Sequence, residues 1–371
     1  MDEKCTDKEN KLKLSNLSYV FFGLAAVCAI LYIIAINNTA FANFFNRYVS
    51  SIFRGILATV TNILPLSFAE LILICSPVLL FFIIRFATKK YAGSWHDVGI
   101  FCVTILSIVS LMFSIFVLSF GTGYYTSKLD ERLGLEQKDV GAKELAATAE
   151  WLIECVNSEL DNVEFIEKGS SVSPHSIRET NKLILSSFDK LSDEYSFLPR
   201  LTSYIKPVML SEPMTYTHIT GVYTYFTGEA NLNTNAPDYS MPFTVAHELA
   251  HQRGIAREDE ANFMAFLVCS QSEDDYIRYC GYMNLCEYVL NALYVADTKL
   301  WEETYKKLDN RAIYEMIAYN EHYEKYRDNV VGDISGAIND AYLQANGTEG
   351  TRSYGLVVDL AVAYYHGKIE N

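Results

Sequence analysis

Three long apolar stretches in the first third of the chain constrain its fold more than any other feature. No charged residue occurs from Leu14 to Asn46 or from Val98 to Phe120, and a block from about Leu66 to Ile84 carries only Glu70, near its start. About 20 apolar residues in a helix cross the ~30 Å hydrocarbon core of a bilayer. The sequence therefore predicts an N-terminal membrane anchor, residues 1–122, with three transmembrane helices at about 14–36, 66–86 and 98–120.

The first stretch is longer than the apolar region of a secretory signal, which has about 7–15 residues, so a retained anchor is expected. The small residues around Ala40-Phe41-Ala42 leave a cleavable signal as the alternative. Basic residues near the span ends number seven on the N-terminal side and five on the other. The positive-inside rule then predicts a cytoplasmic N-terminus and an extracytoplasmic position for everything beyond the third span.

Between the first two spans, the segment from Phe41 to Pro65 mixes Arg47 and Arg54 with large apolar residues. Such a segment either lies in the membrane interface as an amphipathic helix or packs on the spans as an ordinary short helix. The sequence leaves both alternatives open.

Residues 123–371 have the pattern of a mostly helical soluble domain. Apolar residues recur at helical spacing in several segments, and Gly221–Phe226 is rich in strand-forming residues. The predicted helices are Ala142–Val156, Ser176–Leu191, Asp274–Leu300, Arg311–Arg327 and Ser353–Tyr365. The fold class expected is therefore mainly α: a transmembrane helical anchor followed by an α+β domain with a small sheet.

The net charge of −15 and the absence of a basic run interleaved with aromatic residues argue against nucleic acid as a partner. The lipid bilayer is an expected partner because of the three apolar stretches.

The strongest chemical signal is the motif H-E-x-x-H at His247, Glu248 and His251. Two histidines four residues apart lie on one face of a helix and can bind one zinc ion, with the glutamate beside them as a proton carrier. Pro242 and Gly254 bound the segment as a helix start and a helix end. The pattern predicts a zinc hydrolase in which Glu248 is the general base.

The third zinc ligand must come from residues that follow the motif. In one known arrangement a histidine occupies the position of Arg257, but a guanidinium cannot bind a cation. The acidic residues Glu258, Asp259 and Glu260 compete for the role, and Glu258 is preferred, with Glu260 as the runner-up. On the same predicted helix face, Asn262 is expected to support a ligand imidazole from the second coordination shell.

Other residues are candidates for substrate contacts. Tyr279 and Tyr282 follow the predicted ligand helix and are candidate oxyanion donors. Glu229 and Asn231 are candidates for the lining of the cleft, although asparagine is equally typical of turns. The Val222–Phe226 strand can bind an extended peptide at a sheet edge or simply pack as an ordinary strand.

Two resemblances support this interpretation. Glu258-Asp259-Glu260-Ala261-Asn262 resembles the E-x-x-A-[DN] segment of membrane CAAX prenyl proteases and phage anti-repressor peptidases, in which the first glutamate binds zinc. Nearly the whole chain resembles an uncharacterised bacterial membrane family, a domain of unknown function with three N-terminal spans and a zincin-like domain. The matching segments are Pro65-Leu66-Ser67-Phe68, Phe226 to Asn231, Pro242 to Asn262, and Thr351-Arg352-Ser353-Tyr354-Gly355. This resemblance implies a metallopeptidase anchored in a bacterial membrane.

The sequence thus predicts a membrane-anchored, zinc-dependent peptidase that contains one Zn2+ and acts on a peptide or protein substrate. The alternative is a non-catalytic membrane sensor or assembly protein with a structural zinc site. A zinc hydrolase of cell-wall or lipid material differs from the first reading only in its substrate.

Overall fold

The computed structural model describes residues 13–136, 140–166, 169–350 and 356–370. The basic residues of the N-terminal tail before Lys13, Lys138 and the motif at Thr351–Gly355 lie outside the described residues. The chain is mainly helical, with 72% helix and 3% strand.

The long apolar helices all lie before residue 120, and the strands follow later in the chain. The first five helices are α1 (Asn16–Asn37), α2 (Thr39–Phe44), α3 (Ser51–Thr61), α4 (Phe68–Tyr91) and α5 (Trp95–Ser119), with one π-helical turn at Phe45–Ser50. The following helices are α6 (Leu129–Leu133), α7 (Ala142–Glu159), α8 (Ile177–Glu194), α9 (Ser211–Thr215), α10 (Ser240–Gln252), α11 (Glu258–Ser270), α12 (Asp275–Ala296), α13 (Thr298–Tyr305), α14 (Asn310–Glu324), α15 (Val330–Ala345) and α16 (Val357–Glu370). The strands are β1 (Lys206–Pro207), β2 (Gly221–Thr224) and β3 (Glu229–Leu232).

Three of these helices, α1, α4 and α5, are long and apolar enough to cross a membrane. They correspond to the three predicted spans, and most of their large apolar side chains are exposed, as expected of surfaces that face lipid. Serine caps begin all three: Ser15, Ser67 and Ser94 each accept a hydrogen bond from a backbone amide of the first turn. The helices suggest a membrane protein.

The small sheet has the strand order β1-β3-β2, with β3 parallel to β1 and antiparallel to β2. The observed strand β2 is shorter than the strand predicted to end at Phe226, because Tyr225 and Phe226 belong to the turn into β3. Asn231 stabilises this hairpin, since its side-chain amide donates to the Val222 carbonyl (3.1 Å) and to Thr224 Oγ1 (3.0 Å). Among the described residues β2 pairs only with β3 and stands last in the sheet, so it is an edge strand.

The main core lies between α7, α8, α10, α11 and α12, where fully buried aliphatic and aromatic side chains form one cluster. Helix α10 is apolar on most of its surface, and Val245, Ala246, Leu249 and Ala250 are all fully buried. This core holds α10 and α11 in place from behind, while their other faces meet a cleft.

The segment between the first two spans packs on the rest of the chain through its polar face. Arg54 is fully buried, and its guanidinium donates to the carbonyl of Ser119 at the end of α5 (2.8 Å) and to that of Arg253 just after α10 (3.4 Å). Asn46 accepts from the same guanidinium (2.8 Å) and donates to the Gly254 carbonyl (2.9 Å). The carbonyls of Ser119 and Arg253 lie at helix C-termini, where the helix dipole favours a cation. A packed segment with outward-facing apolar residues is therefore the alternative that the structure supports.

Two glutamates join α4 to the sheet region reciprocally. Glu229 accepts hydrogen bonds from the backbone amides of Phe68 and Ala69 (both 2.9 Å), at the first turn of α4. Glu70 is buried and accepts from the amides of Met209 (2.9 Å) and Leu210 (2.7 Å). The N-terminal end of α4 is thereby fixed against the sheet.

Candidate metal centre

Helices α10 and α11 meet at a tight turn that brings the three predicted ligands together. Gly254 has φ of +92°, and a Cβ there would lie 2.5 Å from Arg54 Nη2, so glycine is required both by the turn and by the close approach. The amides of Gly254 and Ile255 donate to the carbonyls of His251 (2.9 Å) and Ala250 (3.1 Å), which closes α10. Helix α11 then starts at Glu258, in reach of the histidines.

His247, His251 and Glu258 form a group whose ligand atoms all lie within 4.8 Å of one another. Glu258 Oε2 is 3.2 Å from His247 Nε2 and 3.4 Å from His251 Nε2. Within the described ranges this is the group of three or more histidine, cysteine or acidic residues that can hold a metal ion. Three nitrogen and oxygen donors fit Zn2+, which takes three protein ligands in catalytic sites.

The second nitrogen of His251 is oriented by the turn. Nδ1 lies 2.7 Å from the Ile255 carbonyl and donates its hydrogen there. Nε2 is therefore the ring nitrogen of His251 that faces Glu258 and could bind a metal. Burial lowers the pKa of His251, but Glu258 beside it reverses the effect and raises the pKa above its usual range. Burial likewise opposes ionisation of Glu258, yet the two imidazoles hold the pKa of that carboxyl well below its usual range. The carboxylate is thus available as an anionic ligand.

Glu248 occupies the position expected of a general base. It is 4% exposed, lines the cleft, and burial raises its pKa above the usual range of a glutamate, although both imidazoles oppose the shift. In the part of the chain that the structure describes, its Oε2 atom is buried and has no hydrogen-bond partner. A buried carboxylate oxygen without a partner is costly unless a ligand or water completes it.

The structure places Glu260, the runner-up ligand, outside the group formed by His247, His251 and Glu258. Its Oε1 accepts from the backbone amide of Leu129 (2.7 Å), and its Oε2 accepts from Arg132 (2.8 Å); it also pairs with Arg257. Residues two apart on a helix point about 200° apart, so Glu258 and Glu260 cannot both face the histidines. Arg257 itself is held by the carbonyls of the loop after α5, with Nη1 3.0 Å from the Tyr124 carbonyl.

Asn262 lies in the cleft lining, as expected, but its contact differs from the prediction. Its side-chain amide is 3.4 Å from the hydroxyl of Tyr288 and donates there rather than to a ligand imidazole. Tyr288 also lines the cleft, and burial raises its pKa, with the negative charges of Glu287 and Glu258 adding to the shift. Tyr288 is thus one of the tyrosines that the fold brings into the cleft with the ligand group.

The other predicted cleft residues lie elsewhere. The hydroxyl of Tyr279 is buried and donates to Glu315 (2.8 Å), while Tyr282 packs against Phe266. Glu229 binds the start of α4 and forms an ion pair with Lys206, and Asn231 closes the β2–β3 hairpin. Tyr279 and Tyr282 lie away from the cleft because helix α12 presents Tyr288 to it and turns its earlier residues into the core. Glu229 and Asn231 lie away from it because their side chains are taken up by contacts of β3 with α4, Lys206 and β2.

The cleft in front of the ligands has a volume of about 470 Å3. Its walls are β2 and the preceding loop, the start of α10, the end of the third span, and α15. Phe120, the residue after α5, packs edge-to-face on His251 with ring centroids 5.9 Å apart. The metal group therefore lies next to the end of a candidate transmembrane helix, and Phe120, predicted to belong to the anchor, is part of the site.

Sequence reasoning missed several cleft residues, including Tyr288, Tyr342, Tyr124, His218 and the small residues of α15. Most occupy helices whose apolar spacing carries no mark of a cleft. His218 has φ of +60°, unusual for a residue other than glycine, and its ring contacts Gly332 at the start of α15.

Comparison with known proteins gives a family without an assigned activity. The family model described as a protein of unknown function (DUF3810) matches residues 41–362. A search of curated proteins and a search of solved structures found no match. The matched region includes α4, α5, the sheet and the whole candidate metal centre, and the chain belongs to the DUF3810 family.

Proposed function

We propose that the chain is a membrane-anchored, zinc-dependent peptidase. The observation that carries this proposal is the partnerless Oε2 atom of Glu248, buried beside the three converging donors of His247, His251 and Glu258. A structural zinc site is closed by four protein ligands and has no use for such a carboxylate. The arrangement favours catalysis over the alternative of a sensor with a structural metal.

The residues present fit zinc: His247, His251 and Glu258 would hold it. Bound there, zinc would act as a Lewis acid on a carbonyl and lower the pKa of water from about 15.7 towards ~7. Glu248 takes the proton of the attacking water, and its raised pKa suits it to return that proton to the leaving amine. The hydroxyl of Tyr288 is the candidate donor to the developing oxyanion.

Strand β2 supports a peptide substrate. Gly221, Val222 and Tyr223 line the cleft, and in the described part of the chain the outer edge of β2 pairs with no strand. An extended peptide can add to such an edge through main-chain hydrogen bonds. The scissile bond would then lie beside Glu248, which packs on β2 at Gly221.

The test compares purified protein with the Glu248→Gln variant for bound zinc and for cleavage of a broad peptide library. We expect full zinc content and a loss of cleavage of at least 100-fold, on the order of what general-base removal costs. Equal cleavage by both proteins at full zinc would exclude this mechanism.

The ligand set is tested by Glu258→Ala, with Glu260→Ala as the matched control on the same helix turn. Zinc content should fall in the first variant. Glu260→Ala should retain zinc but lose thermal stability, since Arg132 and Arg257 lose their partner. Undiminished zinc in Glu258→Ala would remove Glu258 from the ligand set.

For localisation, we propose a bacterial cell membrane with the metal site on the extracytoplasmic side. A cysteine introduced at exposed Glu321 should react with an impermeant reagent added outside intact cells, whereas one at Lys89, at the far end of α4, should be protected. The reverse pattern would place the site in the cytoplasm.

A further inference from the structure

Helix α15 has two contrasting faces. Eight of its residues are apolar and exposed, namely Val330, Val331, Ile334, Ala337, Ile338, Ala341, Tyr342 and Ala345. At 100° per residue they cover one uninterrupted arc of about 140°. No polar residue falls within this arc.

The inner face of α15 forms a wall of the metal cleft. Gly332, Ser335, Gly336 and Asn339 line the cleft, and Tyr342 does so at the edge of the apolar arc. The acidic residues Asp333 and Asp340 lie on a third side, away from the exposed apolar residues. The exposed apolar face of α15 is therefore distinct from the face that lines the cleft.

The exposure of this surface is large for a protein in water. Val330, Val331, Ile334 and Ile338 are 71%, 53%, 56% and 66% exposed. Contiguous apolar surfaces of this kind mark sites that contact a membrane or another protein.

The position of α15 in the fold favours a membrane over another protein as the partner of this surface. Near its C-terminal end, the ring of Tyr342 packs on Phe116, three residues before the end of α5 (centroids 6.4 Å apart). Asn346, the residue after α15, accepts a hydrogen bond from Tyr32, five residues before the end of α1 (3.2 Å). The end of α15 is thus held within the last two turns of two candidate spans, at the level where a bilayer has its interface.

Tyrosines cluster at this level. Tyr32 and Tyr125 are in hydroxyl contact (3.3 Å), and Tyr124 contacts Tyr342 both by ring and by hydroxyl (3.3 Å). Tyrosine is enriched where a protein meets the headgroup region, because one end of its ring is apolar and the other polar.

We propose that α15 lies in the bilayer interface, with its outer apolar face in lipid and its inner face as a wall of the metal cleft. The C-terminal end of α15 contacts α5 through Tyr342 and α1 through Asn346. Amphipathic helices bind membrane surfaces in this way. The docking does not depend on the metal or on the proposed peptidase activity; its consequence is that one wall of the cleft is held at the membrane surface.

The test uses a photoreactive amino acid incorporated at single positions of the full-length protein, reconstituted in phosphatidylcholine–phosphatidylglycerol vesicles. Ile334 and Asp333 form a matched pair at the same level of the helix but on different sides, and Ile338 is a second position on the apolar face. Leu79, an exposed residue of α4, is the positive control for lipid contact. Products are identified by mass spectrometry, and each protein is checked for an unchanged melting temperature in detergent.

Lipid adducts several-fold more abundant at Ile334 and Ile338 than at Asp333 are the expected result. Cross-links between two copies of the chain at the same positions would overturn the proposal in favour of self-association. Adducts equal at all three positions, or absent from Ile334 while present at Leu79, would also overturn it.

As a second measurement, Ile338→Trp should be quenched by brominated lipids after subtraction of the signal of the unsubstituted protein, while Asp333→Trp should not. Equal quenching in both variants would contradict the proposed orientation of α15.

Discussion

A substitution of Arg54, which lies outside the cleft, should affect both the stability of the fold and the metal site. Its guanidinium binds the carbonyl of Ser119, the carbonyl of Arg253, and both the backbone and side-chain oxygens of Asn46. It thereby ties the end of the third span to the end of the helix that carries His247 and His251. Arg54→Met keeps an unbranched apolar stem but removes every donor.

The magnitude follows from what the variant leaves behind. A buried acceptor that loses its donor costs about 1–3 kcal/mol. Three acceptors lie within 3.0 Å of the guanidinium. Against this loss stands the cost of burying a cation, which lowers the pKa of Arg54 to about 10 and which the variant no longer bears. Three unpaired acceptors, taken at the lower end of that range because the cation is no longer buried, give a net loss of about 3 kcal/mol.

The assay is thermal unfolding in detergent together with zinc content after equilibration at limiting zinc. About 3 kcal/mol corresponds to a fall of roughly 6–12 °C in the melting temperature for a domain of 150–250 residues. Zinc affinity should fall as well, because the Arg253–Gly254 turn that positions Glu258 loses its support. Arg47→Met is the matched control: Arg47 is exposed on the same segment and should tolerate the change.

The outcome that refutes this reasoning is a melting temperature and a zinc affinity of Arg54→Met that equal those of Arg47→Met. A fall in stability with unchanged zinc affinity would show that Arg54 supports the fold but does not position the ligands.

Two further predictions concern the cleft and the core. In Gly221→Ala, the new Cβ would lie 2.6 Å from Glu248 Oε1 and 2.8 Å from Thr244 Cγ2, so cleavage of the peptide library should fall at least tenfold while zinc content is retained; full activity would show that β2 moves aside. The second prediction concerns Glu287, which accepts a hydrogen bond from the Tyr239 hydroxyl (2.8 Å). Burial raises the pKa of Glu287 to about 7. Because the folded protein holds this proton more tightly than the unfolded chain, the contribution of Glu287 to stability should be fully present below pH ~4.5 and be lost by about pH 7, and it amounts to at most about 3 kcal/mol. Glu287→Gln should remove that decline in melting temperature, and an unchanged pH profile would contradict the assignment.

The sequence by itself determined the features that depend on neighbours along the chain. Long apolar stretches predicted α1, α4 and α5, because a bilayer span needs only length and apolarity. Four-residue spacing placed His247 and His251 on one helix face, and Gly254 allowed the turn that brings Glu258 to them. Each of these inferences uses residues that follow one another closely along the chain.

The tertiary structure decided everything that joins distant segments. Glu229 was assigned to the cleft but binds the start of α4, and Tyr279 turned into the core, leaving Tyr288 at the site. No local pattern distinguishes these alternatives, because a tyrosine on a helix can face a core or a cleft with the same spacing.

The same reason applies to Arg54 and α15. An arginine in a largely apolar segment and an amphipathic helix near the C-terminus are both expected at a protein surface. Only the packing of the chain shows that Arg54 is buried between two helix ends and that the polar side of α15 faces the metal ligands, since those partners lie up to 200 residues away.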